Sequence, residues 1–375
     1  MNRRSFLKHT ALCGLALGMM PALSGSPGNA ASPSSGSRAL FFASTKGNRV
    51  ECRLCFRHCV IPDRRRGFCR VRENRRGELW SLVFGRPVGL QIDPIELEPM
   101  YHFVPGHKNL CVYTASCNFR CKHCQNWSVS QVAPEQISSL SRSPQEIVEE
   151  AIKAGCRSIS HSINEPTIFY EMMLEVARQA RQRGLLTLCH TNGGIAPGPL
   201  VELLKVLDGV TVDLKAFNEG FYRDICEARL EPVLATLKTI RAAGKHLEIV
   251  NLVIPTVNDQ IDEIRSMSRF IVQHLGPEVP LHFTRFSPRY KMTHLPPTPI
   301  KTLEAAAAAA QKEGVRFVYL GNVVGHPGNS TYCPECRRML IERSHFLVLN
   351  NYLRKGSCPS CNEKIPGIWD LPSQG

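Results

Sequence analysis

Three cysteines, Cys117, Cys121 and Cys124, stand in the run Cys117-Asn118-Phe119-Arg120-Cys121-Lys122-His123-Cys124. The run follows at once on the strand-like segment Leu110 to Ser116, which puts three thiolates on a loop leaving a strand. Thiolates so spaced can converge on one face of an iron–sulfur cubane and leave its fourth iron without a protein ligand. An iron left open in this way binds and activates a molecule from outside. A zinc ion completed by His123 or Cys111 is the alternative that these residues allow.

Nine further cysteines belong to two flanking groups or to the same neighbourhood, out of 16 in a chain of 375 residues. Crowding at short spacings is what metal or cluster ligation needs, whereas disulfides in a chain this long need not cluster. Cys52, Cys55, Cys59 and Cys69 can close a tetrahedral zinc site or complete an auxiliary cluster, with zinc the first expectation and a disulfide pair the alternative. His58 is a possible substitute ligand, and the arginines around the group favour thiolate. Cys333, Cys336, Cys358 and Cys361 form two Cys-x-x-Cys knuckles and predict a zinc ribbon. Cys111, Cys156, Cys189 and Cys226 stand apart from these sets and are expected to be buried small hydrophobes.

Positioning such groups requires a regular scaffold. Apolar or β-branched runs recur at 109–116, 156–163, 185–191, 209–215, 246–254, 281–286 and 316–321. Longer segments of mixed polarity lie between them near 144–154, 167–183, 198–206, 230–243, 259–274 and 301–313, the last with an alanine run of high helix propensity. Alternation of this kind predicts βα units, a parallel sheet and an α/β partial barrel of the (β/α)6 type, whose strand C-termini carry the chemistry. The expected division is a signal and linker at 1–44, a cysteine-rich module at 45–105, the barrel at 106–325 and a ribbon-like module at 326–375.

With the Cys-x-x-x-Cys-x-x-Cys run on its strand end, the chain resembles the radical S-adenosylmethionine enzymes. Across CRLCFRHC, RRGFCRVREN, DPIELEPMYHFVPG, CNFRCKHCQNW, NEPTIFYE, TNGG, VDLKAF, HFTRFSPRYKM, YLGNVVGHPGNSTYCP and CPSCNEKIPGIWD it resembles the radical enzyme of the AmmeMemoRadiSam system, itself related to pyruvate formate-lyase activating enzymes. The resemblance covers about residues 45 to 370. It implies a 4Fe-4S cluster on Cys117, Cys121 and Cys124 whose open iron is chelated by S-adenosylmethionine, with one electron releasing a 5′-deoxyadenosyl radical that abstracts hydrogen. It implies that His123, at a position usually aromatic, stacks near the adenine, and that Asn164 and Glu165 accept from the cofactor's ammonium. Thr191 and Asn192 would lie beside the cofactor, Lys215 would meet its carboxylate, and Asp213 would orient Lys215 or a ribose hydroxyl. Partners implied are a protein or small-molecule radical substrate, an electron donor such as ferredoxin or flavodoxin, and a Memo-like protein.

The formal charge is +14, yet its distribution argues against a nucleic-acid binder. Residues 51–80 hold nine arginines against four acids, and residues 1–45 hold four basic residues and no acid. The aromatic-basic interleaving of a nucleic-acid surface is thin, so no nucleic acid is expected. Asn2-Arg3-Arg4-Ser5-Phe6-Leu7-Lys8, the apolar run to Leu23 and the Ser/Pro/Gly stretch beyond predict a twin-arginine signal, hence export or tethering at the inner membrane, or a cytoplasmic protein if translation starts later. A non-catalytic iron–sulfur or metal-binding electron carrier is the competing function.

Overall fold

The computed structural model describes residues 36–371; the expected twin-arginine signal lies outside them. The arginine-rich segment has only short alternating runs, broken by turns that carry its cysteines. It forms β1 (Ser37–Arg38), β2 (Phe42–Thr45), β3 (Arg49–Cys52), β4 (Val60–Ile61), β5 (Arg72–Arg75) and β6 (Glu78–Ser81). They make two small antiparallel sheets, β1–β6–β5 and β2–β3–β4. Strand β2 runs across residue 44, so residues given above to the linker belong to this folded module. Too small to bury a core alone, it shares one apolar cluster with the barrel, in which Val50, Ile61, Val71 and Leu79 join Phe169 and Tyr170. The fully buried guanidinium of Arg72 pairs with Glu171 of the barrel, whose Oε1 also accepts from the Leu40 amide at 2.8 Å.

The main sheet begins earlier than residue 106. It contains β7 (Gly89–Pro94), β8 (Lys108–Tyr113), β9 (Ser158–His161), β10 (Leu186–Thr191), β11 (Gly209–Asp213), β12 (His246–Val253), β13 (Leu281–Arg285) and β14 (Val318–Gly321) in strict sequence order. All neighbours from β8 to β14 are parallel, and β7 closes one edge antiparallel to β8. With β7 and β14 at opposite edges the barrel is open and partial. Helices α1 (Trp127–Ser130), α2 (Pro144–Lys153), α3 (Tyr170–Gln182), α4 (Pro197–Leu204), α5 (Glu219–Cys226), α6 (Leu230–Ala242), α7 (Ile261–His274) and α8 (Ile300–Lys312) make the crossovers. Strands covered on both faces are buried along their length, and β9 is buried at every position although three of its four residues, Ser158, Ser160 and His161, are polar.

Local chemistry sets the helix ends. Ser143 accepts from the Glu146 amide at 3.2 Å, Glu146 accepts from the Ser143 amide at 2.7 Å, and Pro144 takes the first helical position of α2. This capping box satisfies two amides that the helix cannot. The alanine run lies in α8, where Ala306, Ala309 and Ala310 are buried. No helix among the described residues is long and apolar enough to cross a membrane.

The end of the barrel opposite the strand C-termini is filled by polar side chains that must find partners. Glu248, wholly buried on β12, accepts from His282 at 2.6 Å, His246 at 2.9 Å and the His102 amide at 2.8 Å. Those donors hold its carboxyl far below the usual carboxylate range in spite of burial. The segment after β7 therefore crosses this end of the barrel, with Met100 and Phe103 against Leu186 and Leu188.

A fourth sheet, β15 (Thr331–Tyr332), β16 (Met339–Ser344) and β17 (Leu347–Asn351), carries the last cysteines. Its Leu340 and Ile341 share an apolar cluster with Tyr101, Phe317 and Tyr319. Arg343, fully buried, donates to the Tyr101 carbonyl at 2.7 Å and Thr331 Oγ1 at 2.8 Å, and lies 3.5 Å from buried Glu96. Removing one partner of such a pair strands the other charge. Arg343→Ala is expected to cost about 3–5 kcal/mol in urea denaturation, and adding Glu96→Gln to it should recover part of the loss.

Candidate active site

The C-terminal ends of the parallel strands open on one cavity of about 490 Å³. It receives Cys117, Cys121 and Cys124 after β8, Asn164 and Glu165 after β9, Thr191 and Asn192 at β10, Asp213 and Lys215 at β11, Thr284 of β13 and Gly321 of β14. Each expected position at the first four strand ends, His123 included, therefore lines a single space.

The cysteine loop is held by its neighbours. The Arg120 and Lys122 amides donate to the carbonyls of Cys226 and Ile225, each at 2.9 Å, so the end of α5 supports the loop as a strand would. The Phe119 amide donates to Cys117 Sγ at 3.3 Å, and Cys124 Sγ lies 3.0 Å from Ser130 Oγ. Burial pushes the Cys117 thiol up, as does the Cys226 thiol together with burial for Cys121. These sulfurs become thiolates only where added positive charge compensates them, which is what a bound metal centre supplies. The three do not lie within 4.8 Å of one another, a spread that suits a cluster in which each sulfur takes a different iron better than it suits one ion.

Asn164 and Glu165 are engaged with the protein itself. Asn164 accepts from the Thr114 amide at 3.0 Å and donates to Thr114 Oγ1 at 3.1 Å and the Ser116 carbonyl at 2.9 Å. Glu165 accepts from Thr191 Oγ1 at 2.7 Å, the Asn192 amide at 2.8 Å and the Thr167 amide at 3.0 Å. Asn192 in turn donates to Asn118 Oδ1 at 2.8 Å and stands 3.7 Å from Cys117 Sγ. The web ties β9 and β10 to the cysteine loop, and of the Glu165 carboxylate only Oε2, which accepts once, keeps a lone pair for a ligand. Gly194 is confined by it: an added Cβ would sit 2.8 Å from the Phe119 ring.

His123 is buried, tilted against Phe221 with ring centroids 5.8 Å apart, and its Nδ1 has no partner among the described residues. Desolvation, and then the Lys215 charge, lowers its pKa to about 3, so it is a neutral ring with a free polar atom. Asp213 bridges Lys215 at 2.7 Å and His190 Nε2 at 3.0 Å, while His190 Nδ1 lies 3.7 Å from Glu98.

His190 and Glu98 were not singled out from the sequence. His190 had a signal, since it opens the His-Thr-Asn-Gly end of a strand beside the Asp-x-Lys pair. Glu98 had none, because its segment has no periodicity and reaches the cavity only by crossing under the barrel. Cys226 is corrected in part: it is buried as expected, yet its sulfur lies within 4.8 Å of Cys121 and a ring nitrogen of His123. Cys111 is buried and also lines the cavity.

In the ribbon-like module the Cys333 and Cys361 sulfurs are 3.5 Å apart and those of Cys336 and Cys358 are 3.6 Å apart. All four lie within 4.8 Å of one another. Cys52, Cys55, Cys59 and Cys69 line a separate cavity with Arg57 and Arg72. The 15 described cysteines are unbridged, and His58 faces Glu51 at 3.9 Å.

An open barrel with a three-cysteine loop at its first parallel strand and a cavity over the strand ends is the architecture of a metal-cluster enzyme. The Radical SAM superfamily signature matches residues 111–268. An uncharacterised protein of Methanocaldococcus jannaschii is 44% identical over 329 residues, which is 87% of this chain and 98% of that one. The benzylsuccinate synthase activating enzyme of Thauera aromatica is 24% identical over 181 residues, 44% of this chain and 54% of that one. The pyruvate formate-lyase-activating enzyme of Clostridium pasteurianum is 23% identical over 174 residues, 44% of this chain and 70% of that one. The chain belongs to the radical SAM superfamily, whose enzymes work with a 4Fe-4S cluster and S-adenosylmethionine.

The two carboxylates outweigh burial and raise the His190 pKa from 6.5 to about 10. A folded pKa above the unfolded one contributes stability that is complete below about pH 6.5 and is lost as pH rises through about 10. Thermal unfolding followed from pH 6 to 10 should show this fall in the wild type and a flatter profile in His190→Gln.

Proposed function

We propose that this protein is an activating-type radical enzyme in which Cys117, Cys121 and Cys124 hold the catalytic cluster. The observation that carries the reading is the convergence of those cysteines with the ends of the parallel strands on one cavity. When bound, cluster and S-adenosylmethionine supply a carbon radical that takes hydrogen from a protein glycine or another unreactive C–H bond. The chain's own contribution is placement. Lys215, cationic and locked by Asp213, offers a fixed positive charge for the cofactor carboxylate. His123 offers a neutral ring and an unpartnered Nδ1 towards the adenine. Glu165 Oε2 and Asn164 Oδ1 each accept once from the protein and leave a lone pair for the ammonium.

The activating role draws support from the two named activating enzymes, and their kinship makes a protein substrate and a low-potential donor such as ferredoxin or flavodoxin the partners to seek. A Memo-like protein is the further partner that the AmmeMemoRadiSam resemblance suggests. Zinc is the proposed occupant of the Cys333, Cys336, Cys358 and Cys361 set, because a Zn–S bond of ~2.3 Å puts tetrahedral sulfurs ~3.8 Å apart. Export through the twin-arginine route would carry the protein already folded and loaded.

Anaerobically reconstituted, dithionite-reduced protein should release 5′-deoxyadenosine from S-adenosylmethionine, while Cys121→Ala should release none. Lys215→Ala should weaken cofactor binding about tenfold, or ~1.4 kcal/mol, in equilibrium dialysis. A wild type that cycles its cluster without forming 5′-deoxyadenosine, and whose reduced EPR signal ignores the cofactor, would be an electron carrier instead.

A further inference from the structure

The geometry points to a second iron–sulfur cluster, not zinc, on Cys52, Cys55, Cys59 and Cys69, set against the loop that carries the catalytic one. Two spacings within this one chain provide the scale. The ribbon sulfurs close to 3.5 and 3.6 Å, near the ~3.8 Å edge of a tetrahedral zinc site. Cys117, Cys121 and Cys124, in a family defined by a cluster, do not all come within 4.8 Å of one another. Among the described residues, no three of the N-terminal four come within 4.8 Å of one another either. They follow the cluster pattern.

The space between them agrees. The centre of a zinc–thiolate tetrahedron lies ~2.3 Å from each sulfur, too close to leave a gap that water could enter. The four N-terminal cysteines instead line a common cavity with about 20 Å³ of room, enough for a water-sized body, and with apolar walls from Leu54, Ile61 and Ile168. A small pocket walled by four thiols suits a cubane held by four cysteines. Two guanidiniums offset the negative charge of such a complex. Arg72 donates to Cys52 Sγ at 3.5 Å, and Arg57 lines the same cavity.

Placement gives the site a role. Arg57, two residues after Cys55, donates to the Asn118 carbonyl at 2.7 Å, and Asn118 both follows Cys117 and lines the second cavity. The Phe56 and Phe119 rings meet edge to face with centroids 5.6 Å apart, and the Phe56 amide donates to the Gly194 carbonyl at 3.2 Å. A second hydrogen bond, from Arg120 to the Phe68 carbonyl at 2.5 Å, also joins the two cysteine loops. The second cluster is placed to take one electron from a low-potential iron–sulfur or flavin protein, passing to its reduced state, and to return to the oxidised state as that electron reduces the first cluster.

The inference builds on the radical SAM reading, and metal analysis separates the two. Protein purified anaerobically should contain about 8 iron and about 8 acid-labile sulfide per chain, with about one zinc. The triple variant Cys117→Ala/Cys121→Ala/Cys124→Ala should keep about 4 iron and, once reduced, give an EPR signal that S-adenosylmethionine does not alter. Cys55→Ser/Cys59→Ser should keep about 4 iron with a signal that the cofactor does alter. If the wild type holds about 4 iron and about two zinc, and the triple variant holds no iron, the second cluster is refuted while the catalytic reading stands. Iron in the triple variant with none lost from wild-type levels would refute the catalytic assignment instead. Should the double variant fail to fold, the iron content of the triple variant still decides.

Discussion

The buried carboxylate of Glu165 is the tie on which the cavity depends. It comes from the end of β9, yet its hydrogen bonds go to Thr191 and Asn192 at the end of β10. Asn192 passes the constraint on to Asn118, inside the cysteine loop after β8. Adjacent parallel strands share ladder hydrogen bonds only along their length, and beyond the ends of β8, β9 and β10 side chains fix one loop against the next. A buried acceptor with three donors, in a medium of low dielectric, does this with little freedom left over. Cluster ligands must be held to a few tenths of an ångström, so the web is as much a part of the site as the sulfurs.

Charge is arranged in the same manner. Glu98, His190, Asp213 and Lys215 alternate in sign along one wall, each within 4 Å of the next. No member would be ionised alone at such depth, but together each stabilises its neighbours. The outcome is a cation, Lys215, fixed at the rim over the strand ends. On the opposite side of the barrel the Glu248 and Arg343 networks spend buried charge on holding the crossing segment and the last sheet in place.

The three cysteine groups show how little residue type says without distance. All are thiols at short sequence spacing. In one the sulfurs close on a point, and in two they stand around a space. Two Cys-x-x-Cys knuckles facing each other on a hairpin bring four sulfurs within 4.8 Å of one another. A loop that leaves a strand, or a turn-rich segment with nine residues before its last cysteine, spreads them. For the N-terminal set, count and spacing suit zinc and an auxiliary cluster equally.

Read alone, the sequence determined the order of elements to within a few residues, because each barrel segment has the length and polarity of one strand or one helix. It also determined that chemistry lies at the strand C-termini, since the three-cysteine run and the Asn-Glu, Thr-Asn and Asp-x-Lys pairs all follow apolar runs directly. Only the tertiary structure decided what each of those side chains faces. Asn164 and Glu165 carried a binding role in the sequence, yet Thr114 and Thr191, which hold them, come from the ends of β8 and β10, 50 and 26 positions away. Glu98, His190 and Cys226 reach the site by crossing, pairing or packing that no local pattern records. The antiparallel β7 was likewise invisible, as edge pairing leaves no period of its own. Local propensity and spacing are properties of neighbouring residues, whereas burial, pairing and sulfur separation belong to segments brought together only when the sheet closes over its core.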